Sequence, residues 1–329
     1  MSKMPRWRNG RRSRLKIVRG QPHESSSLSR GIMKPKIVAI IGPTASGKSD
    51  LAVAVAKKFD GEIISADSRQ VYKGLDIGTG KITKKEMRGV PHHLLDVANP
   101  RKQFSVDQFK SLADKKIKEI IERGKVPILC GGTGFYIDAV VQNISFPNVP
   151  PNPKLRKKLT KKSASTLFKI LHKLDPRRTK TIQKENKVRL IRAIEICKSL
   201  GKVPHLEVEP PSKYEVLYIG TLWRSGHHKE RIRKRLVQRI KASMINEAKS
   251  LHRQGLSWKR MHELGLEYRY LALYLQGKIS KQEMIEKLNS SIWHYAKRQM
   301  TWFKRNKDIV WMDPQKKSVI LKVIQKFLK

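Results

Sequence analysis

The eight residues Gly42-Pro43-Thr44-Ala45-Ser46-Gly47-Lys48-Ser49 have the types and spacing needed to hold a chain of phosphates. Gly42 and Gly47 let the backbone wrap so that successive N–H groups point inward, and a helix starting behind them adds the positive end of its dipole. Lys48 can reach a phosphate as a point charge, and the Ser49 hydroxyl can ligate Mg²⁺. The pattern G-x-x-x-x-G-K-[ST] carries meaning only between a strand and a helix. Here the apolar run Ile37 to Ile41 precedes it, and the alternation from Asp50 to Phe59 reads as the helix that follows. A polyphosphate or pyrophosphate is the expected ligand; the loop does not choose between them.

Three further segments offer chemistry. Glu62 to Ser65 reads as a short buried strand that ends in Ala66-Asp67-Ser68-Arg69-Gln70. Groups at the carboxyl ends of strands in open α/β sheets line the ligand crevice, so Asp67 is expected near the phosphate loop. Its carboxylate suits a base or a metal partner, and equally a turn or N-cap residue. Gly131-Gly132-Thr133-Gly134 follows the strand Val126 to Cys130 directly, so its backbone can approach a ligand closely while Thr133 offers a hydroxyl. The loop Gly74 to Lys81 holds three glycines and few core residues, which reads as a segment shaped for a ligand or partner. Adjacent His92 and His93 raise a metal reading, but with no second ligand cluster nearby, structural or substrate-lining roles are favoured.

These residues need elements to position them. Strands alternating with helices imply an α/β fold with a parallel sheet. A helix is expected from about Val106 to Arg123, closed by Gly124. Phe146 to Pro153 is a proline-broken linker, followed by Lys- and Leu-rich helical stretches to about Ser199 and a loop through Pro210-Pro211. The chain then returns to the core with a strand at Glu215 to Gly220 and a helix carrying Ile232, Leu236, Ile240 and Met244 on one stripe. The expected organisation is therefore a basic extension over 1–34, a core over 35–145, a mainly helical insertion over 146–212, and the rest of the core over 213–329.

Composition narrows the partner. Lys plus Arg number 72 against 27 acidic residues, a formal charge of +45 on 329 residues. So large an excess costs self-repulsion and reads as a surface for phosphates, hence for nucleic acid. Cys130 and Cys197 belong to no CxxC pair, which excludes a disulfide framework or zinc ribbon and points to a reducing compartment. No apolar run reaches the length of a membrane span. The Arg- and Ser-rich first 34 residues fit a transit peptide to an organelle, or a start further down at Met33, as well as the disordered basic arm favoured here. The protein is otherwise expected in the cytoplasm, as a monomer.

The chain resembles the tRNA dimethylallyltransferase (tRNA isopentenyltransferase) family. The likeness rests on GPTASGKS, SADSRQVYKGLDIGTGK, Pro91 to Asp96, Gly131 to Tyr136, Arg189 to Ile196 and Tyr295 to Phe303, in the family's order over roughly 36–313. The resemblance implies a P-loop NTPase-like core and transfer of a dimethylallyl group from dimethylallyl diphosphate to the exocyclic N6 of the adenosine just 3′ of the anticodon, with Mg²⁺ as cofactor. It implies that Asp67, Thr133 and Arg235 act in catalysis and that Gly42 to Ser49 bind the donor. It further implies that the anticodon stem-loop is contacted by Asp67, Ser68, Arg69, Gln70, Thr133, Arg156, Val188, Arg189, Leu190, Ile191 and Arg192. Arg235 closes the family pattern R-I-x-x-R at Arg231 to Arg235, where an arginine can neutralise the leaving diphosphate. The chain departs from the family at Ser225, where an arginine is usual although Arg224 stands beside it, and at Leu264 to Tyr268, where many members carry a basic segment.

Three rival readings share some of these features. A small-molecule P-loop kinase would use the same loop for ATP, yet has little use for the charge or the basic insertion. An adenylate isopentenyltransferase shares the fold and donor, and the same charge argues against it. Intact Lys48, Ser49 and Asp67 disfavour a non-catalytic RNA-binding module.

Overall fold

The structure, a computed structural model, describes residues 34–204, 213–223 and 227–329. Residues 1–33 of the basic extension, the loop at Pro210-Pro211, and Arg224 with Ser225 lie outside the described residues.

In chain order the elements are β1 (Lys36–Ile41), α1 (Lys48–Lys58), β2 (Gly61–Ser65), α2 (Lys84–Met87), β3 (His92–His93), α3 (Val106–Glu122), β4 (Val126–Gly131) and α4 (Gly134–Val141). Four helices follow: α5 (Pro153–Thr160), α6 (Ala164–Leu174), α7 (Pro176–Thr179) and α8 (Lys187–Leu200). The chain then forms β5 (Glu215–Thr221), α9 (His228–Lys241), α10 (Met244–Arg253), α11 (Trp258–Leu264), α12 (Leu266–Leu275), α13 (Lys281–Phe303), β6 (Val310–Met312) and α14 (Lys317–Leu328).

The strands pair in parallel in the order β3-β2-β4-β1-β5-β6. Parallel strands need crossovers that cover both faces, which is why Ile37 to Ile41 is apolar without alternation. Ile37, Ala39 and Ile41 face the larger core with α3, α4 and α9 to α13, while Val38 and Ile40 face the core under α1 and α14. The helix after β1 packs on one face of the sheet and the helix after β4 on the other. The crevice between these neighbouring strands is thus a topological switch point, where ligands of such sheets bind.

The expected helix at Val106 is α3; Ser105 and Gln108 form its capping box, and Gly124 at φ +70 follows its C-cap Arg123. Between α4 and β5 the helices α5 to α8 enclose an apolar core of their own, in which Leu167, Leu171, Leu190 and Ile194 are fully buried. Two boundaries differ from expectation. Helix α1 begins at Lys48, so the motif's lysine and serine already belong to its first turn. The stripe Ile232, Leu236, Ile240, Met244 does not lie on one helix: α9 ends at Lys241, Ser243 adopts φ 72, and Met244 opens α10. Met244 is buried in the same core all the same, so apolar spacing alone could not register the break.

Candidate active site

The phosphate loop is built as its glycines suggest. Gly42 has φ +156, Ala45 is left-handed at φ 61, and Gly47 at φ 86 caps α1. A methyl group on Gly42 would overlap the Thr221 side chain, so β5 leaves room for the loop only because this residue has none. Thr221 donates its hydroxyl to Ile41 O at 3.2 Å, leaving Ser46 to donate to Thr221 at 2.6 Å. The loop's tip is clamped from two helices. His228 at the start of α9 bonds Thr44 O through Nε2 at 2.7 Å, and Gln299 on α13 accepts the Thr44 N–H at 2.9 Å.

The ends of β2 and β4 meet beside this loop. Gly131 has no space for a side chain, because a Cβ would overlap the Ala66 carbonyl. That close approach lets Ala66 O accept the Thr133 N–H at 3.2 Å and Thr133 Oγ1 accept the Ser68 N–H at 3.0 Å. Asp67 Oδ1 accepts the N–H groups of Arg69 and Gln70 at 2.8 and 3.3 Å, so the turn role considered for it is real. Asp67 also lines a cavity together with Lys48, Ser49, Arg69, Gln70 and Arg235. The turn and the cavity are two uses of one carboxylate. Tyr295 joins the wall, and burial raises its phenol above the ordinary value.

Two cations face the same space. Burial lowers the Lys48 ammonium below the usual lysine value; its Nζ donates to Pro43 O at 3.2 Å. Burial, then the neighbouring Arg239, lowers Arg235 as well. Arg235 donates to Gly80 O at 3.0 Å, while Arg239 donates to Gly78 O and pairs with Glu267 at 3.1 Å. The buried Lys48 and Arg235 line this one cavity with Arg69, against the carboxylates of Asp67 and Glu267, an excess of positive charge that suits an anionic ligand. Ala52, Ile63, Ile82, Leu266 and Ile292 add apolar surface to its wall.

The glycine loop Gly74 to Lys81 serves this site from behind. Glu247 on α10 accepts the N–H groups of Asp76, Ile77 and Gly78 at 3.0, 2.6 and 3.0 Å, and the Tyr268 hydroxyl at 2.7 Å. Thr79 alone of the loop lines the cavity. Both Tyr268 and Glu267 belong to the segment that departs from the family, and both are buried. Tyr268 thus packs internally, while Leu266 and Glu267 line the cavity.

His93 bonds Glu62 at 2.6 Å, and His92 bonds Val90 O at 2.9 Å while lining the cavity. Among the described residues no cluster of three or more His, Cys, Asp or Glu is placed to hold a metal. In the insertion, Arg156 grips Glu195 with two bonds of 2.9 and 2.7 Å, and Arg192 reaches the same carboxylate at 2.5 Å. Burial pushes the Glu195 pKa up, but the hydrogen bonds from Arg156, the Asn152 N–H and Arg192 outweigh it and hold the carboxyl at about 2. Leu190 and Ile191 are buried in the insertion's core, so their side chains have no surface to offer. Val188, 77% exposed, and Arg189, exposed and bonded to Gln183, face outward on the same helix.

Sequence reading gave no role to Gln299, His228, Thr221 or Tyr295. Two of these lie in the Tyr295 to Phe303 motif, which stood out only as a likeness. The available signal was local: Gln299 interrupts the buried stripe Met284, Leu288, Ile292, Ala296, Phe303 of α13. Burying an unpaired amide costs about 1–3 kcal/mol, so a glutamine at such a position asks for partners.

Mg²⁺ fits the donor set here. Hard oxygens of Ser49 and Asp67 line the cavity, and among the described residues no cluster of three or more His, Cys, Asp or Glu forms a protein cage. That suits an ion held mostly by substrate phosphates and water rather than by a protein cage.

A parallel sheet whose first strand feeds a phosphate-binding loop and helix, with the site at its switch point, defines a P-loop α/β protein. The family described as IPP transferase matches residues 70–306. The tRNA dimethylallyltransferase 1 of Syntrophus aciditrophicus is 43% identical over 288 residues, covering 85% of this chain and 94% of that one. The tRNA dimethylallyltransferase of Halalkalibacterium halodurans is 40% identical over 290 residues, covering 85% and 92%. Among solved structures, the tRNA isopentenylpyrophosphate transferase of Bacillus halodurans aligns with a TM-score of 0.68 at 37% identity over 89% of this chain and 96% of that one. A eukaryotic dimethylallyltransferase captured acting on tRNA aligns at 0.74 with 25% identity, over 85% and 74%. This chain belongs to the IPP transferase family, the tRNA dimethylallyltransferases.

Proposed function

We propose that this protein transfers the dimethylallyl group of dimethylallyl diphosphate to N6 of the adenosine 3′ of the anticodon in tRNA, releasing diphosphate. The observation that carries the reading is the single cavity shared by Lys48, Arg235 and Asp67 at the carboxyl ends of the central strands. In the reaction the allylic C–O bond breaks as the N6–C bond forms, the diphosphate keeps the bonding pair, and one proton leaves N6.

The roles follow from position. The loop Gly42 to Ser49, with Lys48, holds the diphosphate, and Arg235 neutralises the charge that grows on it as it departs. Mg²⁺, with Ser49 as its protein ligand, would supply further charge stabilisation to the leaving group. The apolar wall suits the five-carbon chain. Asp67 takes the N6 proton on the oxygen not committed to its turn, worth about 10²–10⁴-fold in rate because an exocyclic amine is a poor nucleophile. Thr133 and the Ser68-Arg69-Gln70 turn orient the adenine, which must first leave the loop stack at a cost of roughly a few kcal/mol.

The insertion over 146–212 would grip the anticodon stem-loop. Arg189 and Val188 are its outward contacts, with Arg156 and Arg192 holding the helices and turning their partly exposed edges to RNA. The protein would act as a monomer in the cytoplasm, where its substrate is; no helix among the described residues is long and apolar enough to cross a membrane. The charge of +45 and the insertion favour RNA over a free nucleotide or a kinase substrate. Mass spectrometry of nucleosides from an anticodon stem-loop incubated with enzyme, donor and Mg²⁺ tests the reading: the N6-(dimethylallyl)adenosine mass is expected. Product from adenosine monophosphate alone, or ATP turnover without donor, would replace this reading with one of its rivals.

A further inference from the structure

The donor loop and the turn that carries Thr133 are joined through one side chain. Gln299 is 6% exposed, deep in the apolar stripe of α13. Its Oε1 accepts the Thr44 N–H at 2.9 Å, and its Nε2 donates to Gly132 O at 2.8 Å. The partners leave no choice of orientation, because a backbone N–H only donates and a carbonyl only accepts. Gly132 is shaped to this contact: a Cβ there would overlap Gln299 Nε2, with no other atom so near. One turn further along α13, Trp302 fills the space where Gly134 would carry a side chain and donates to Asp138 on α4 at 2.9 Å.

The connection continues into the acceptor side. The residue after Gly132 is Thr133, whose hydroxyl takes the N–H of Ser68, the residue after Asp67. A continuous line of bonds therefore runs from the phosphate loop through Gln299 and Gly132 to the Asp67 turn. Because Gln299 occupies the Thr44 N–H, that donor is withheld from the diphosphate, and the amide's work is to hold shape.

We infer that Gln299 is a positioning residue of the transfer reaction, setting the distance between the donor held at the phosphate loop and the base and hydroxyl held at the Asp67 and Thr133 turns. The inference rests on the transfer activity proposed above. It makes the two halves of the site one rigid unit in which neither loop can drift without the other. Reactions between two bound partners are sensitive to such drift, since a misplacement of about 1 Å can cost about 10²-fold in rate.

Steady-state kinetics with dimethylallyl diphosphate and an anticodon stem-loop test this in the full-length protein. Gln299→Met keeps length and loses both bonds; it is expected to lower kcat by about 10²-fold while KM for the stem-loop holds. In a Thr133→Val background the same substitution is expected to cost much less, because the line it interrupts is already cut. A purely structural role predicts a lower melting temperature and the same fold-loss in both backgrounds, and that result overturns the inference. Gly132→Ala approaches the contact from its other side and decides the matter if Gln299→Met does not fold; it is expected to lose kcat in parallel. Wild-type kcat in either folded variant overturns the inference and leaves the transfer activity standing. A wild-type enzyme that forms no dimethylallylated product overturns the transfer reading and the inference together.

Discussion

The Thr133 hydroxyl oxygen accepts the Ser68 N–H at 3.0 Å, across 65 residues of sequence. It fixes the turn after β4 to the turn after β2, and so determines where Asp67 stands. With Oδ1 of Asp67 held by two backbone N–H groups, the carboxylate cannot rotate freely. Asp67→Asn keeps the shape and an oxygen for the turn while removing the base. Its kcat is expected to fall by about 10²-fold or more with donor affinity unchanged. Single-turnover rates at saturating substrates measure this, and a near-normal rate would assign the base elsewhere.

On the proposed reading, Lys48 and the insertion address different ligands. Lys48→Ala removes the buried ammonium facing the donor, and turnover should fall by about 10²–10³-fold, the usual cost of one charge-stabilising donor. Stem-loop affinity in a filter-binding assay should stay near wild type. Parallel loss of both would show that donor and RNA sites are not separate.

The two arginines on Glu195 belong to a different kind of experiment from Arg189. Arg156→Ala leaves a carboxylate that is 2% exposed with one guanidinium, and should destabilise the insertion by about 2 kcal/mol, below the ~3–5 of a wholly orphaned charge. Arg189→Ala touches no core contact, so it should leave the melting temperature alone and flatten the salt dependence of stem-loop binding by about one log–log unit. A salt series on both variants separates fold from contact. An unchanged slope in Arg189→Ala would remove this helix from the RNA interface.

The same carboxylate predicts an acid limit. Its folded pKa of about 2 lies below the ordinary 4.5, so the stability it contributes is complete above about 4.5 and drains away as pH falls toward 2. Thermal melts of wild type and Glu195→Gln between pH 6 and roughly 2.5 should converge as acid removes the difference. Parallel curves would deny Glu195 that role.

Cys130 lies beneath Lys48, where burial pushes its thiol up to about 11. It should remain protonated and resist iodoacetamide at pH 8, read as unmodified peptide by mass spectrometry. Rapid alkylation with loss of activity would mean that the floor of the site opens.

Much of the site was legible because it is contiguous or tied to strand ends. Gly42 to Ser49 carries its own conformational demands, and the apolar runs before it, at Glu62 and at Val126 announce buried parallel strands whose carboxyl ends must share a crevice. That rule put Asp67 near the loop, and Thr133 stood out for following a strand directly, while the catalytic roles expected of both came from the family resemblance. Charge pointed to nucleic acid, since no folded arrangement hides an excess of 45. Tertiary structure decided what depends on distant partners. Arg156 and Arg192 look like free cations until Glu195 is seen between them; Ile240 and Met244 look like neighbours on one helix until Ser243 turns the chain. Gln299 joins Thr44 to Gly132 across 255 and 167 residues, and its roles are set by which backbone groups the folded chain brings within 3 Å of its amide. Periodicity reports which face of a helix is buried, because burial follows from the element's own geometry. It cannot report what waits on the far side of that face, because that depends on where every other element has packed.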